Sequence, residues 1–370
     1  MKTVLLTGAS GAVGSAIVPE LLKDPSLRLI LLLRPRGEQS VLDRFQNLKK
    51  YWAGYGLENS VWRRVDVLTG DVAQERLGLT SDTYRTLTQD LTHIVHGAAQ
   101  VKLNMSREEA HRSSVSTTVH VLRLAEDCRS LVKMEYLSTV GVAGTIEGAI
   151  PERRIIDPRD FHNTYESSKS EAEDLVWAAM DRGWPVTLHR PSMVVGDSRD
   201  GRTLHFQVFY HLVEFLSGRA TGGWVPRLPK FRLDVVPNDY VARAVTASLD
   251  NPRWAGQVLH LTAGRDGSLA LDQYVNDLPG LLTQAGLPTR VPHRFPWNLF
   301  RLLVPLLALV GPSERRKAFH HLPRFLSYLR EETYFDNQNA VRLLKSEGVF
   351  LPETKKLLAP VLGYYVSQMK

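Results

Sequence analysis

The sequence predicts an α/β protein in which helices cover both faces of a parallel, doubly wound sheet. Short apolar runs alternate with longer helical patterns over residues 2–263, which is typical of strand–helix–strand units. A glycine-rich turn directly follows the first apolar run, whereas residues 266–370 lack the alternation and are divided by prolines. We therefore expect one domain over residues 1–265 and a smaller, mainly helical C-terminal domain over residues 266–370.

The predicted strands are short runs rich in leucine, valine, isoleucine and threonine. They are Thr3–Thr7, Leu29–Leu33, Arg64–Thr69, His93–His96, Met134–Ser138, Val186–Arg190 and Gln257–Thr262. Amphipathic segments between them, such as Ser116–Cys128 and Ser168–Asp181, are predicted helices. Pro19 lies inside the first predicted helix, where an interior proline costs about 3 kcal/mol, and it predicts a kink or a shifted helix end.

The composition is that of a globular protein with small anionic ligands. The chain has 370 residues, 43% of them hydrophobic, which is enough to bury a full core. Its net charge of +7 is divided among short basic patches, such as Arg34–Arg36, Arg153–Arg154 and Arg315–Lys317. These patches are too sparse for a nucleic-acid interface and suit anionic small molecules or plain solvation better.

Cysteine content and hydropathy indicate a cytoplasmic protein. Cys128 is the single cysteine, which excludes an intrachain disulfide and predicts a reducing environment. The N-terminal apolar run is too short for a signal peptide. The longest apolar stretch, Leu299–Val310, contains Arg301 and Pro305 and is shorter than the ~20 residues that span a bilayer. No transmembrane span is expected, while peripheral contact of this stretch with a membrane stays open.

The glycine-rich turn predicts a dinucleotide site. It opens the first helix with glycines at the spacing GxxGxxG, which lets the backbone approach a pyrophosphate at a helix N-terminus. The expected contacts are Gly8, Ser10, Gly11, Ala12, Val13 and Gly14.

The residues that end the next strands indicate which dinucleotide binds. Arg34 and Arg36 follow the second strand, where an acid would favour NAD and arginine pairs with a 2′-phosphate. NADPH is therefore expected, with NADH left open. Further contacts are expected after the third and fourth strands, from Asp71 and Val72 to the adenine and from Ala98 and Ala99 to the cofactor backbone.

Tyr165 and Lys169 form a YxxxK pair on one face of a predicted helix. A nearby ammonium lowers the pKa of a tyrosine, so Tyr165 could donate a proton to a carbonyl oxygen while Lys169 holds the nicotinamide ribose. Thr139 ends the fifth strand and is favoured over Ser138 as a hydrogen-bond donor to the same oxygen. The histidines form no ligand spacing with nearby acids, so no metal site is expected.

These motifs resemble a known family. The segments Thr7–Gly14, Tyr136–Thr139, Asn163–Glu173 and Arg190–Ser198 are similar to those of extended short-chain dehydrogenases/reductases. Leu77–Thr80 after Gly70-Asp71, His96–Ala99 and Arg190–Ser198 are most like the fatty acyl-CoA reductase and thioester reductase branch. The resemblance is good over residues 1–265 and loose beyond them.

The resemblance implies a Rossmann domain with a C-terminal substrate domain, NADPH, and the catalytic residues Thr139, Tyr165 and Lys169. It also implies that Pro191 and Val194 lie beside the nicotinamide, and that residues 191–235 contribute to the substrate pocket. Ser114–Thr118 departs from the Asn-Val-x-Gly-Thr pattern that the family often has.

Three functions stay open at this point. The first is reduction of an acyl thioester, carried by CoA or a separate carrier protein, to an aldehyde or alcohol. The second is a ketone or alcohol dehydrogenase for a bulky lipophilic compound, such as a natural-product intermediate. The third is a regulator that binds NADP without turnover. Substrate choice is expected to depend on residues 219–233 and the C-terminal domain.

Overall fold

The computed structural model describes residues 2–102, 104–219, 223–227, 231–296, 299 and 333–369. Its strands, in chain order, are β1 (Lys2–Thr7), β2 (Leu27–Leu33), β3 (Val65–Thr69), β4 (His93–His96), β5 (Lys133–Leu137), β6 (Gly148–Ile150), β7 (Val186–Pro191), β8 (Met193–Val195), β9 (Trp224–Pro226), β10 (Arg232–Leu233), β11 (Val235–Pro237), β12 (Val258–Leu261), β13 (Leu269–Ala270), β14 (His293–Phe295) and β15 (Thr333–Phe335).

The helices are α1 (Gly14–Leu21), α2 (Val41–Ala53), α3 (Ser81–Asp90), α4 (Arg107–His111), α5 (Thr117–Asp127), α6 (Thr164–Asp181), α7 (Val208–Leu216), α8 (Asn238–Leu249), α9 (Gly264–Gly267), α10 (Leu271–Gln284), α11 (Gln338–Ser346) and α12 (Thr354–Ser367). A π-helical turn over Arg112–Ser116 joins α4 to α5.

A parallel sheet organises the described part of the chain, with its seven strands in the order β12-β7-β5-β4-β1-β2-β3. The order runs in opposite directions from β1 and β4, so the sheet is doubly wound, as the sequence predicted. Each strand of this sheet lies within two residues of its predicted bounds at both ends. Successive residues of β1 serve opposite faces: Val4 and Leu6 pack in one core layer and Leu5 in the other.

Pro19 lies inside α1, and the neighbouring helix compensates for it. A proline has no N–H, so the carbonyl of Ser15, four residues earlier, loses its helical partner. The indole N–H of Trp52 on α2 donates to that carbonyl at 2.8 Å, and Trp52 is fully buried. The helix can therefore keep its proline without leaving a buried acceptor unpaired.

The C-terminal part of the chain contributes to two cores. Helices α7, α10 and α12 build a separate core with β9 and β10. In contrast, β15 pairs with β6, and Ala340 and Leu344 of α11 join the core of the large sheet. Residues 333–349 therefore pack with the first domain, while the boundary at residue 265 stays a prediction. Residues 300–310 and 315–317 lie outside the described residues.

Glu152, just after β6, connects this returning segment to the sheet. Its Oε1 accepts the backbone N–H of His260 at 2.8 Å, and its Oε2 accepts that of Asn339 at 2.7 Å. The N–H of Ala340 lies 3.1 Å from both oxygens, so the carboxylate caps the start of α11. Burial raises the pKa of Glu152 to about 7 because these bonds offset only part of the lost hydration.

Glu152 should make folding pH-dependent. A carboxyl whose pKa is raised in the folded state contributes stability at low pH. This contribution is lost as the pH rises from the ordinary pKa of the carboxyl, 4.5, to its folded value of about 7. We expect the free energy of unfolding of the wild type, relative to that of Glu152→Gln, to fall between pH 5 and pH 8. The limit is about 1.4 kcal/mol per pH unit for one proton. Urea unfolding at four pH values measures this, and a pH-independent difference would contradict it.

Candidate active site

The glycine turn lies where β1 and β4 end side by side, at the point where the strand order reverses. Gly8 has a φ of +83°, and a Cβ there would lie 2.6 Å from the carbonyl carbon of Gly97. A Cβ on Gly14 would lie 2.1 Å from the carbonyl oxygen of Gly8. Only glycine fits at these positions, and the result is a backbone cradle at the start of α1 that fits a pyrophosphate.

The rest of the turn is held by its surroundings. Ser10 Oγ accepts from Arg44 Nη2 at 3.0 Å, and the Ser10 carbonyl accepts from His205 Nε2 at 2.9 Å. The Gly11 N–H donates to the Gly8 carbonyl at 2.8 Å. The Ala12 carbonyl accepts from a serine hydroxyl of α1. Arg44 and His205 were not predicted.

Three arginines converge beside Ser10. The pKa of Arg44 is lowered, first by burial and then by the positive charges of Arg36 and Arg34. Arg34 Nη1 lies 3.3 Å from Asp71 Oδ2, and within the described residues this is the ion pair that the three arginines make. This excess of positive charge fits a 2′-phosphate. The sequence does contain a signal that could have identified Arg44, because it is a basic residue in the helix that follows the Arg34–Arg36 turn.

The predicted adenine contacts lie at the same edge of the sheet. Asp71 Oδ1 accepts from the Ala73 N–H at 3.0 Å, and the Val72 carbonyl lies 3.0 Å from His120 Nδ1. The Ala98 nitrogen lies close to Gly8, 2.8 Å from where a Cβ would be. The Asp71 carboxylate is already bound by two protein groups, the Arg34 guanidinium and the Ala73 N–H. Its role toward adenine stays a prediction.

A cavity of about 680 Å³ continues from the glycine turn. Its lining contains Val13, Ala99, Thr139, Tyr165, Lys169, Pro191 and Val194, all of which the sequence nominated. Thr139 follows β5, the two ionisable residues lie on α6, and the last two lie on β7 and β8. The fold thus brings together residues that are far apart in the sequence.

Tyr165 is a protonated hydroxyl hydrogen-bonded to Thr139. Burial raises its pKa well above 10, Glu166 raises it further, and the hydrogen bond with Thr139 opposes both. The lowering of this pKa that was expected from Lys169 is not found. Thr139 also accepts the Gly141 N–H at 3.1 Å, which fixes its side chain.

The Lys169 side chain reaches from α6 to the end of β5. Its Nζ donates to the Leu137 carbonyl at 2.8 Å and lies 5.0 Å from the centroid of the Tyr136 ring. Burial lowers the pKa of Lys169 to about 8, and the negative charge of Glu173 limits the change. Burial and this ammonium also lower the pKa of His96 to about 3, so that histidine stays neutral.

A buried ion pair lies directly below these residues. The guanidinium of Arg190 on β7 binds Glu173 of α6 at both carboxylate oxygens. Ser138 Oγ and Trp177 Nε1 donate to the same carboxylate. Burial raises the pKa of Glu173, but Arg190 and the hydrogen bonds outweigh it and lower the value overall. Ser138 also lines the cavity, but its hydroxyl is bound to Glu173, which favours Thr139 as the hydroxyl that could contact a substrate.

Other groups near the site were not predicted either. His162 Nδ1 lies 2.9 Å from Glu166 Oε2, and both residues line the cavity. In the segment that departs from the family pattern, Ser114 lies within the π-helical turn and Thr118 in α5. The Thr118 hydroxyl lies 2.9 Å from that of Tyr136. Among the described residues, no cluster of three His, Cys, Asp or Glu side chains could hold a metal ion.

Comparison with known proteins agrees with this geometry. A family model described as "Male sterility protein", an NAD-binding domain, matches residues 6–245. The chain is 29% identical to L-2-aminoadipate reductase of Schizosaccharomyces pombe over 80% of its own length. It is 31% identical to glycine betaine reductase of Emericella nidulans over 66% of its length. It spans about a fifth of these relatives, 21% and 19% of their lengths.

A solved structure matches the whole chain. This is the terminal R domain from the myxalamid PKS-NRPS biosynthetic pathway, with a TM-score of 0.83 and 26% sequence identity over 100% of this chain and 91% of that one. Within the described residues, no helix combines the length and apolar character that crossing a membrane requires.

Proposed function

The chain belongs to the male sterility protein family of NAD-binding domains within the extended short-chain dehydrogenases/reductases, and from that premise we propose that it is an NADPH-dependent reductase of acyl thioesters. The product is an aldehyde, or an alcohol after a second reduction. The thioester is carried by CoA or by a carrier protein, which is the proposed partner. The named relatives that are reductases support this assignment.

The proposed cofactor fits the glycine turn and the arginine cluster. Gly8, Gly11 and Gly14 would hold the pyrophosphate, and Arg34, Arg36 and Arg44 would hold the 2′-phosphate. Pro191 and Val194 would lie beside the nicotinamide ring. When bound there, NADPH supplies a hydride to the carbonyl carbon of the substrate.

The chain's own residues would handle the proton. Tyr165 is protonated at neutral pH even at the ordinary pKa of a tyrosine, and it would give that proton to the carbonyl oxygen of the thioester as the hydride arrives. Thr139, hydrogen-bonded to Tyr165, would orient the same oxygen. The hemithioacetal so formed loses its thiol and leaves the aldehyde. Lys169, one helical turn from Tyr165, would hold the nicotinamide ribose.

One observation carries the proposal: a single cavity joins the cofactor turn to Thr139, Tyr165 and Lys169. A regulator without turnover has no need of this arrangement. A ketone or alcohol dehydrogenase would use it unchanged, so substrate choice distinguishes that alternative.

The experiment is NADPH oxidation, followed by its near-ultraviolet absorbance, with a long-chain acyl-CoA, the matching aldehyde and a panel of lipophilic ketones. Thioester reduction requires oxidation with the acyl-CoA together with release of free thiol, one per NADPH oxidised if the aldehyde is the product and one per two NADPH if the alcohol is. Turnover with ketones alone would replace the proposal with the second function, and binding of NADPH with no turnover of any substrate would support the third.

Tyr165→Phe tests the proton donor. We expect turnover to fall by about 10²- to 10⁴-fold, because the carbonyl oxygen loses its acid. NADPH affinity, measured by fluorescence titration, should stay within a few-fold of that of the wild type. Tyr136→Phe is the matched control, because Tyr136 is buried nearby and does not line the cavity. Equal losses in the two variants would remove Tyr165 from the mechanism.

Arg44→Met tests the unpredicted arginine. Loss of a charged hydrogen bond costs roughly 1.5–3 kcal/mol, so affinity for NADPH should fall about ten- to a hundredfold. Affinity for NADH, which lacks the 2′-phosphate, should change little, and Arg34→Met should show the same selectivity. Similar losses for both nucleotides would mean that Arg44 acts only by holding Ser10.

A further inference from the structure

A second cavity of about 660 Å³ lies next to the reaction cavity. Its described walls come from the β13–α10 segment, from α11, and from residues 349–358, which lead into α12. The predicted chemistry uses none of these segments. The volume is close to that of the reaction cavity, so it can hold a substantial part of a small molecule.

The two cavities share one wall. Arg232, Ser268 and Ala270 line both, and Arg232 pairs with Ala270 in the short β10–β13 sheet. The guanidinium of Arg232 spans the wall, with Nε donating to Ser268 Oγ at 2.8 Å and Nη2 donating to the Ser268 carbonyl at 2.6 Å. Arg232 remains exposed, as a side chain between two cavities would be, whereas Ser268 is buried. Removal of the Arg232 side chain alone would therefore open this wall and leave the core unchanged.

Apolar side chains contribute to the walls of the second cavity. Among them are Leu269, Val349, Leu351 and Leu358. These walls offer contacts to the methylene groups of an acyl chain.

We infer that this cavity is the distal compartment of the substrate site, and that the contact between Arg232 and Ser268 is the partition that limits substrate length. The ligand class is an acyl chain, whose methylene groups would contact the apolar walls of this compartment. This inference rests on the proposed thioester reductase function for the identity of the reacting end.

The partition is tested by Arg232→Ala with a ladder of acyl-pantetheine thioesters from four to fourteen carbons. Opening the wall should raise the ratio of kcat/KM for long against short chains at least about tenfold, equal to 1.4 kcal/mol. Arg265→Ala is the matched control, because Arg265 lines the reaction cavity and stacks on Tyr334 but is not part of the shared wall. An unchanged ratio in Arg232→Ala, or an equal change in the control, would overturn the partition.

A binding measurement separates this inference from the proposed function. S-alkyl pantetheine thioethers cannot be reduced, so calorimetry with the same ladder reports access to the compartment even if no thioester is turned over. Tighter binding of long thioethers to Arg232→Ala than to the wild type supports the partition in either case. Equal affinities across the ladder in both proteins would overturn it.

Discussion

The close contact between the ends of β1 and β4 is the constraint on which the site depends. A Cβ at Gly8 would overlap the backbone of Gly97, so the two strands can end this close together only because Gly8 lacks a side chain. A Cβ at Gly97 would lie 2.7 Å from Leu137 Cδ1 on the neighbouring β5. Their contact opens the crevice at the carboxyl edge of the sheet, where ligands of doubly wound proteins bind. The neighbouring β5 and β7 end at the same edge, so Thr139 and Pro191 reach the crevice without any long loop.

Electrostatics ties the catalytic helix to this edge. Tyr165, Lys169 and Glu173 follow one another at a spacing of four residues, so they share one face of α6. The pair of Glu173 with Arg190 on β7 fixes that face against the sheet. Breaking such a buried pair from one side costs about 3–5 kcal/mol, so it also holds the register of the helix. The negative charge of Glu173 also limits how far burial lowers the pKa of Lys169.

The sequence could predict what depends on local spacing. The glycine turn and the YxxxK pair are short motifs, and alternating patterns give the strands because burial is periodic. Contacts between distant segments left no such signal: Arg44 with Ser10, Arg190 with Glu173, and the return of residues 333–349 to the first core. The expected lowering of the pKa of Tyr165 was wrong, because burial and Glu166 raise it while the Lys169 ammonium is bound to the Leu137 carbonyl. Spacing specifies neighbours on a helix, but burial sets their chemistry.

The proposed reaction site and the proposed distal compartment use different parts of the chain. Tyr165 and Lys169 lie on α6, whose Val176 packs in a core of the large sheet. The second cavity takes its walls from β10, β13 and residues 349–358. Arg232 of β10 belongs to none of the hydrophobic cores of the described residues and is held by single side-chain contacts with Ser268. A substitution at Arg232 would therefore change the proposed substrate site and leave the sheet core and the glycine turn in place.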